Sequence, residues 1–329
     1  MTASPQTTVL QSRRAVLAAG TALLACSSAG WAQQAGRTYR IGYVYPRDQT
    51  FAPYIGAFFA ELRRHGFVEG TNLAVDFRFD TDIRHLDAVA TEVVGRAPDA
   101  ILCFGPVVVR AMQRATLTIP ILSFEPLSEN DASNSLARPD RNTTGISLAV
   151  AELDGKHQDI LLELLPSARH LAVLADTNMS RPLPAMREAT NARGVELSIH
   201  SAATPDEIGP AIEAAEKAGA EALDVLSSPM FWGSREAIYD GAARARLPAI
   251  YEWAVMAAEG GLIAYGPDGL AAHRQLARQL VKVLDGTKPA DLPVEQPTQF
   301  ELAVNLKTAK ALGVAIPPSI LIRANEVIK

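Results

Sequence analysis

The sequence predicts an α/β protein built from two doubly wound, Rossmann-like lobes that are joined by a hinge. Short apolar runs rich in β-branched and aromatic residues alternate with longer segments of helical period, almost to the end of the chain. About ten such strand–helix units follow one another in two successive sets. The 329 residues are also more than a single hydrophobic core usually serves, which favours two domains.

The predicted strands are the short apolar runs. In chain order they are Arg40–Tyr45, Leu73–Phe79, Ala100–Phe104, Ile119–Phe124, Thr144–Leu148, Leu171–Ala175, Val195–His200, Ala222–Leu226, Ala249–Trp253, Leu262–Tyr265 and Phe300–Asn305. Helices fill the gaps, and their ends carry recognisable signals. The helix Tyr54–His65 stops at Gly66, and the helix Asp206–Ala218 starts after Thr204-Pro205 and stops at Gly219. Glycine C-caps and a proline in the first turn are typical of such ends.

Residues 1–32 are predicted to be a cleaved export signal and are left out of the fold. Ser12–Leu17 (SRRAVL) is typical of a twin-arginine signal, the apolar run Ala15–Ala25 follows, and Gly30 and Ala32 suit cleavage. The apolar run is far shorter than the roughly 20 residues of a membrane-spanning helix. Leu23-Leu24-Ala25-Cys26 is also similar to a lipobox, whose cysteine would carry a lipid anchor. The favoured location is therefore the periplasm, reached by the twin-arginine or the general secretory route.

Composition favours a small solute as the partner. The net charge is -5, and no basic patch stands out, which argues against nucleic acid and an anionic membrane surface. Beyond the export signal, Cys103 is the one remaining cysteine, so no intramolecular disulfide is expected. Cys103 lies in an apolar run and is predicted to be a buried small hydrophobe.

The sequence shows no catalytic constellation, so no enzymatic activity, metal or cofactor is predicted. The histidines do not pair at helical spacing, and glycine-rich phosphate-binding motifs are absent from the sequence. Gly145–Ala149 (GISLA) nearly matches a nucleophile elbow, but Ala149 stands where the strained turn needs a second glycine. An exported α/β hydrolase is therefore the least favoured alternative.

The ligand site is predicted at the carboxyl ends of the strands, where open α/β sheets bind their ligands. The candidate residues there are Tyr45, Phe104, Gly105, Pro106, Phe124, Glu125, Asp176, Asn178, Ser228, Phe231, Tyr251, Trp253 and Tyr265. Aromatic walls with a few polar groups suit an amino acid or another small amphiphile. Carboxylates would take its ammonium group, and helix N-termini its carboxylate.

Tyr251 and Trp253 alternate on one predicted strand and are expected to face the same side. The alternative for each aromatic residue in the candidate set is that it only packs beneath a loop.

The C-terminal part of the chain resembles a known family. Lys288–Leu302 (KPADLPVEQPTQFEL), Asn305–Gly313 and Ile316–Pro318 resemble the ABC transporter substrate-binding proteins of the TrpX-like group, a branch of the type I periplasmic binding fold. Leu62–Gly70 and Leu247–Tyr251 also match, and the resemblance runs from about Tyr39 to the C-terminus. The exit Phe104-Gly105-Pro106-Val107 departs from the family pattern because it lacks a hydroxyl residue.

The resemblance implies a monomeric periplasmic receptor that delivers a small ligand, such as an aromatic or branched amino acid, to the membrane subunits of an ABC permease. It also implies lobe boundaries, with 39–144 and about 267–286 in lobe 1, and 145–266 and about 287–329 in lobe 2. Crossovers near Gly145, Gly266 and Gly286 would form the hinge. A receptor that reports its ligand to a signalling partner is the alternative within this fold.

Overall fold

The computed structural model describes residues 36–44, 52–78, 85–124, 136, 139, 142–148, 150–179 and 183–329, the side chains of residues 52 and 150–152 excepted. All elements named below belong to Tyr39–Lys329, which forms one compact unit. The predicted export signal and the candidate ligand residues Tyr45 and Glu125 lie outside the described residues. None of the described helices has both the length and the apolar character needed to cross a membrane.

The first sheet is parallel and covered on both faces. Its strands are β1 (Tyr39–Val44), β2 (Leu73–Arg78), β3 (Ala100–Phe104), β4 (Ile121–Phe124) and β5 (Thr143–Ile146), in the order β2-β1-β3-β4-β5. Along β3, Ala100 and Leu102 pack into one apolar cluster, and Ile101 and Cys103 pack into another. Apolar residues on both faces are typical of a parallel sheet between helices. Cys103 is buried as predicted, and burial raises the pKa of its thiol to about 12.

The second sheet is larger and mixed. Its strands are β6 (His170–Asp176), β7 (Glu196–Ala202), β8 (Ala222–Val225), β9 (Ala249–Tyr251), β10 (Ile263–Pro267), β11 (Phe300–Asn305) and β12 (Glu326–Ile328). The strand order is β12-β11-β10-β9-β8-β6-β7. The β10–β11 pair is antiparallel, and the other neighbours are parallel.

Helices connect these strands. They are α1 (Ala52–Arg64), α2 (Leu86–Gly95), α3 (Pro106–Ala115), α4 (Val150–Leu164), α5 (Leu183–Asn191), α6 (Pro205–Lys217), α7 (Pro229–Gly233), α8 (Arg235–Arg244), α9 (Ala254–Ala258), α10 (Gly269–Leu284), α11 (Leu306–Leu312) and α12 (Pro318–Arg323). A 3₁₀ turn covers Pro289–Asp291. The predicted class, two doubly wound α/β lobes, is confirmed.

Helix α10 packs on the first sheet, although it follows the second set of strands in the chain. The His273 ring stacks on Tyr54 of α1 with centroids 5.3 Å apart, and it lies 4.8 Å from the Phe124 ring of β4. Arg278 forms an ion pair with Glu61 of α1 at 3.1 Å. The predicted lobe boundaries themselves stay a prediction.

Many strand boundaries differ by one or two residues from those predicted, and one strand was not predicted. Strand β9 ends at Tyr251, because Trp253 instead becomes the N-cap residue of α9. The predicted strand Thr144–Leu148 ends at Ile146, after which the chain leaves β4. Strand β12 was not predicted, because its three residues are too few to show a period.

Two of the predicted hinge glycines lie inside strands. A Cβ atom at Gly145 in β5 would lie 1.9 Å from the Ser123 carbonyl oxygen, and one at Gly266 in β10 would lie 1.9 Å from the Glu252 carbonyl oxygen. Both positions therefore need glycine because the backbone of a neighbouring segment approaches closely. At Gly286, by contrast, φ is 102° and a Cβ atom would have no neighbour within 4 Å. Glycine is favoured there only because of the positive φ angle.

Candidate ligand-binding site

A cavity of about 590 Å³ lies at the carboxyl ends of strands from both sheets. Phe104 ends β3 on one wall, where Gly105 and Pro106 begin α3. Asp176 ends β6 on the opposite wall, and Pro229 begins α7 there. The volume is within the range of small-molecule sites. The position agrees with the rule that ligands bind at the carboxyl ends of strands.

A much smaller apolar cavity, of about 20 Å³, adjoins this one and shares Phe104 and Gly105 with it. Phe124 lies against Phe104 with ring centroids 5.2 Å apart. Trp232 and Trp253 meet edge to face at 6.4 Å. Such a volume holds about one water molecule. The aromatic side chains therefore almost fill this end of the site.

Asp176 supplies the carboxylate of the cavity wall and is 5% exposed. Its Oδ1 accepts hydrogen bonds from the Asn178 backbone N–H at 2.8 Å and from Asn178 Nδ2 at 2.9 Å. Its Oδ2 accepts one from Ser228 Oγ at 2.5 Å. All three donors are neutral, and no cationic side chain in the described part of the chain pairs with Asp176. Because a buried carboxylate without a cation is costly, a cationic group of a ligand would be bound here.

Ser228 also fixes this wall by capping α7. Its Oγ accepts hydrogen bonds from the backbone N–H groups of Met230 at 3.0 Å and Phe231 at 3.3 Å. Asn178 Nδ2 donates in addition to the Ala203 carbonyl at 3.0 Å. The exits of β6, β7 and β8 are thus tied together around the carboxylate.

Helices α3 and α6 both begin at the cavity, and the charges in their first turns differ. Helix α6 carries Asp206 and Glu207 in its first turn, and Glu207 accepts a hydrogen bond from the Ala203 backbone N–H at 2.7 Å. Helix α3 has no acidic residue in its first turn and no side-chain cap. Its N-terminal residues Val107 and Val108 line the cavity. An anionic group in the cavity is therefore attracted to α3 more than to α6.

The structure brings most of the candidate residues together. Phe104, Gly105, Pro106, Asp176 and Asn178 line the larger cavity, and Phe124, Ser228 and Trp253 line the smaller one.

Three candidates lie elsewhere among the described residues. Phe231 is 1% exposed and packs in the core. Tyr265 stacks on Phe300 at 6.0 Å in another apolar cluster. Tyr251 lines a separate cavity and does not share a side with Trp253, since β9 ends at Tyr251.

Several lining residues were not anticipated. Leu86, Met179 and Thr204 line the larger cavity, and Leu148 and Trp232 line the smaller one. Thr204 follows β7, so the strand-exit rule applied to every strand would have found it. Leu86 begins α2, Leu148 and Met179 lie in loops and Trp232 lies in the short helix α7, and the sequence pattern does not specify the direction of these side chains.

A second buried carboxylate, Asp224, lies on β8 and lines none of these cavities. His157 Nδ1 is 3.1 Å from its Oδ1, and His157 Nε2 is 2.6 Å from the Tyr265 carbonyl oxygen. Burial lowers the pKa of His157, but the hydrogen bond and charge of Asp224, with the Tyr265 carbonyl and Asp154, raise it above the ordinary value. Among the described residues, no three His, Cys, Asp or Glu side chains form a group able to hold a metal.

Two α/β sheets that present their strand ends to one cavity define a ligand-binding protein of the type I periplasmic class. The family whose sequence model matches residues 54–328 is described as ABC transporter substrate binding protein, and the chain belongs to this family. The predicted resemblance is thereby confirmed. Proteins of this family bind substrates for ABC transporters and are binding proteins, not enzymes.

The individual relatives share less than 25% sequence identity with this chain. A tyrosine-binding protein of Clostridioides difficile (strain R20291) is 24% identical over 264 residues, which cover 78% of this chain and 75% of the relative. A conserved domain protein of Vibrio cholerae has a TM-score of 0.80 at 20% identity, covering 88% of this chain and 100% of that one. A Streptococcus pneumonia ABC domain in complex with L-Trp has a TM-score of 0.80 at 19% identity, with the same coverage. These structures share the fold.

Proposed function

We propose that this protein is the periplasmic receptor of an ABC importer and binds an aromatic amino acid between its two sheets. The observation that carries the proposal is one cavity with Asp176, served by neutral donors only, on one wall and the uncapped N-terminus of α3 on the other. The first attracts an ammonium group and the second attracts a carboxylate. An amino acid carries both groups on one carbon atom.

The aromatic residues of the site indicate that the side chain of the amino-acid ligand is also aromatic. Phe104 lines both cavities, and Phe124 and Trp253 line the apolar end. An aromatic ring bound in the larger cavity against Phe104, which packs on Phe124, gains apolar burial and a ring–ring contact. The tyrosine-binding relative and the similar fold in complex with L-Trp support this choice.

Binding is proposed to stabilise a closed arrangement that the permease recognises. Phe104 and Asp176 are on different sheets, so a ligand that contacts both favours states in which the two walls are close. The cleaved export signal, the periplasmic location, the monomeric state and the lobe boundaries belong to the same proposal. The ligand is bound and released unchanged.

The test is calorimetric titration of the purified protein with L-tyrosine, L-tryptophan, L-phenylalanine and L-leucine. Two analogues separate the charged groups: tyramine lacks the carboxylate, and 3-(4-hydroxyphenyl)propionate lacks the ammonium. We expect the aromatic amino acids to bind and both analogues to bind more weakly. At a hundredfold excess over Kd, a bound ligand adds about 2.7 kcal/mol to the free energy of unfolding, which a thermal melt also detects.

The matched variant is Asp176→Asn, which keeps the shape of the side chain and removes its charge. We expect it to weaken amino-acid binding roughly 10- to 100-fold. Its affinity for 3-(4-hydroxyphenyl)propionate should stay the same, because that analogue brings no ammonium group. Failure of all the amino acids to bind, or an equal affinity of the variant for L-tyrosine, would overturn the proposal.

A further inference from the structure

A second sizeable cavity lies on the second sheet, away from the strand ends described above. Its volume is about 450 Å³, and none of its lining residues lines the first site. Leu247 lies two residues before β9 and Leu262 directly precedes β10, and both line the cavity, so it lies toward the amino ends of these strands. Tyr239 of α8 and Lys307 of α11 complete two of its sides. The volume is again within the range of small-molecule sites.

The inner wall of this second cavity is aromatic and contains a hydroxyl group without a protein acceptor. The rings of Tyr239 and Tyr251 meet edge to face at 5.3 Å. Tyr251 is 1% exposed, and within the described part of the chain its hydroxyl makes no hydrogen bond. Burial raises the pKa of Tyr251, so the hydroxyl stays protonated and can donate. Because Tyr251 lines the cavity, an acceptor inside the cavity would pair with its hydroxyl.

The rim is cationic. Arg246 and Lys307 both line the cavity, and neither side chain forms an ion pair with any described acidic residue. Glu259 accepts a hydrogen bond from the Tyr239 hydroxyl at 3.4 Å, but it is already paired with Arg235 at 2.6 Å. The two rim cations are therefore available to an anion from solution.

Both cations also stand where the backbone favours other residues. Arg246 follows the end of α8 with φ 53°, a left-handed conformation that glycine adopts more easily. Lys307 lies in the first turn of α11, where the helix dipole favours acidic residues. Residues that contradict local preference tend to mark functional positions.

We propose that this second cavity binds a small aromatic carboxylate that carries a hydrogen-bond acceptor on its ring. The carboxylate pairs with Arg246 and Lys307 at the rim, and the ring lies against Tyr239 and Tyr251. The ring substituent accepts the hydrogen bond of the Tyr251 hydroxyl. This site is separate from the proposed amino-acid site and does not depend on it.

The probe is 4-hydroxyphenylacetate, titrated into the purified protein and followed by calorimetry and NMR. Two analogues dissect its groups: 4-hydroxyphenylacetamide lacks the charge, and phenylacetate lacks the ring hydroxyl. We expect the acid to bind about tenfold more tightly than the amide. Saturation of the first site with L-tyrosine should leave this binding unchanged. If the acid does not bind, or if the amide binds equally well, the proposal is wrong.

Variants then locate the site. Arg246→Gly suits the left-handed backbone and should fold at least as well as the parent, yet weaken 4-hydroxyphenylacetate binding about tenfold. Tyr251→Phe should weaken binding of that probe and leave phenylacetate unaffected. Lys307→Ala has a matched control in Lys310→Ala, which removes the same charge from α11 outside the cavity lining. Equal effects of these two lysine variants, or none from Arg246→Gly, would overturn the assignment.

Discussion

Asp176 and Asp224 stand on the neighbouring strands β6 and β8, and they are 5% and 0% exposed, but they have different partners. Asp224 faces His157, whose other ring nitrogen faces the Tyr265 carbonyl. The Tyr265 carbonyl accepts a hydrogen bond from Nε2, and the Asp224 carboxylate accepts one from Nδ1, so both partners favour the charged form of the imidazole and raise its pKa. Asp224 thus has its cation within the fold.

Asp176 has no such cation among the described residues and borders a cavity of about 590 Å³. Its hydrogen bonds from Asn178 and Ser228 orient the carboxylate without neutralising it. The comparison teaches that burial alone does not identify a binding carboxylate. The partner distinguishes the two residues: Asp224 is paired with His157 inside the fold, whereas Asp176 is held by neutral donors beside a cavity and is left to pair with the proposed ligand.

The largest expected effect is the loss of stability when the internal pair is broken. Asp224→Ala leaves His157 without its counter-charge, and removing one member of a buried ion pair costs about 3–5 kcal/mol of the free energy of unfolding. Asp176→Ala loses only hydrogen bonds from neutral donors and should cost less than half as much. Urea denaturation of both variants measures the difference. Equal losses would contradict the distinction between the two carboxylates.

The control for this prediction replaces the buried His157–Asp224 pair with two neutral side chains. His157→Gln combined with Asp224→Asn keeps two side chains that can hydrogen-bond and leaves no buried charge. The double variant should recover much of the stability that Asp224→Ala loses, because the cost of that change lies in the unpaired charge. A double variant as unstable as Asp224→Ala would instead point to packing as the cause.

The next effect concerns the aromatic residues Tyr251 and Trp253, which the sequence pattern placed together. Trp253→Ala removes apolar contact from the smaller cavity and should weaken L-tyrosine binding about 10- to 100-fold without unfolding the protein. Tyr251→Ala is the matched control, since it empties a different cavity. It should lower stability and leave L-tyrosine affinity unchanged. Titration of the two variants alongside thermal melts separates the effects.

Tyr251 and Trp253 also show which features of the structure the sequence predicts and which it does not. The alternation of apolar runs and helical segments predicted β3 and β11 with their observed bounds, and it predicted the α/β class. The strand-exit rule located Phe104, Asp176, Asn178 and Ser228, because in parallel sheets all such ends share one edge.

The sequence did not show that Tyr251 and Trp253 line different cavities. Side chains alternate between the two faces of a sheet only while the strand continues. Strand β9 is three residues long, and nothing in its composition marks the point where α9 takes over. Trp232 and Leu148 could not be predicted for a related reason: their directions depend on how a helix or loop packs, which is a property of the tertiary structure.

The smallest effect is the pH dependence of the internal pair. The folded-state pKa of His157 is raised above its unfolded value of about 6.5. Its contribution to stability is therefore complete below that pH and is lost as the pH rises through the raised value, because the folded state holds the proton longer. Denaturation at a series of pH values should show this loss in the parent and not in His157→Gln. If His157→Gln shows the same pH profile as the parent, the imidazole of His157 does not cause the loss of stability.

The other fully buried histidine provides the contrast. Burial lowers the pKa of His273 to about 4, against a smaller opposing effect of the hydrogen bond to the Gly269 carbonyl. Its neutral form is favoured in the folded state, so stability is lost as the pH falls from about 6.5 towards 4. The two histidines act in different pH ranges and with opposite sign. A loss of stability above pH 6.5 that persists in His157→Gln must therefore come from other groups than these two.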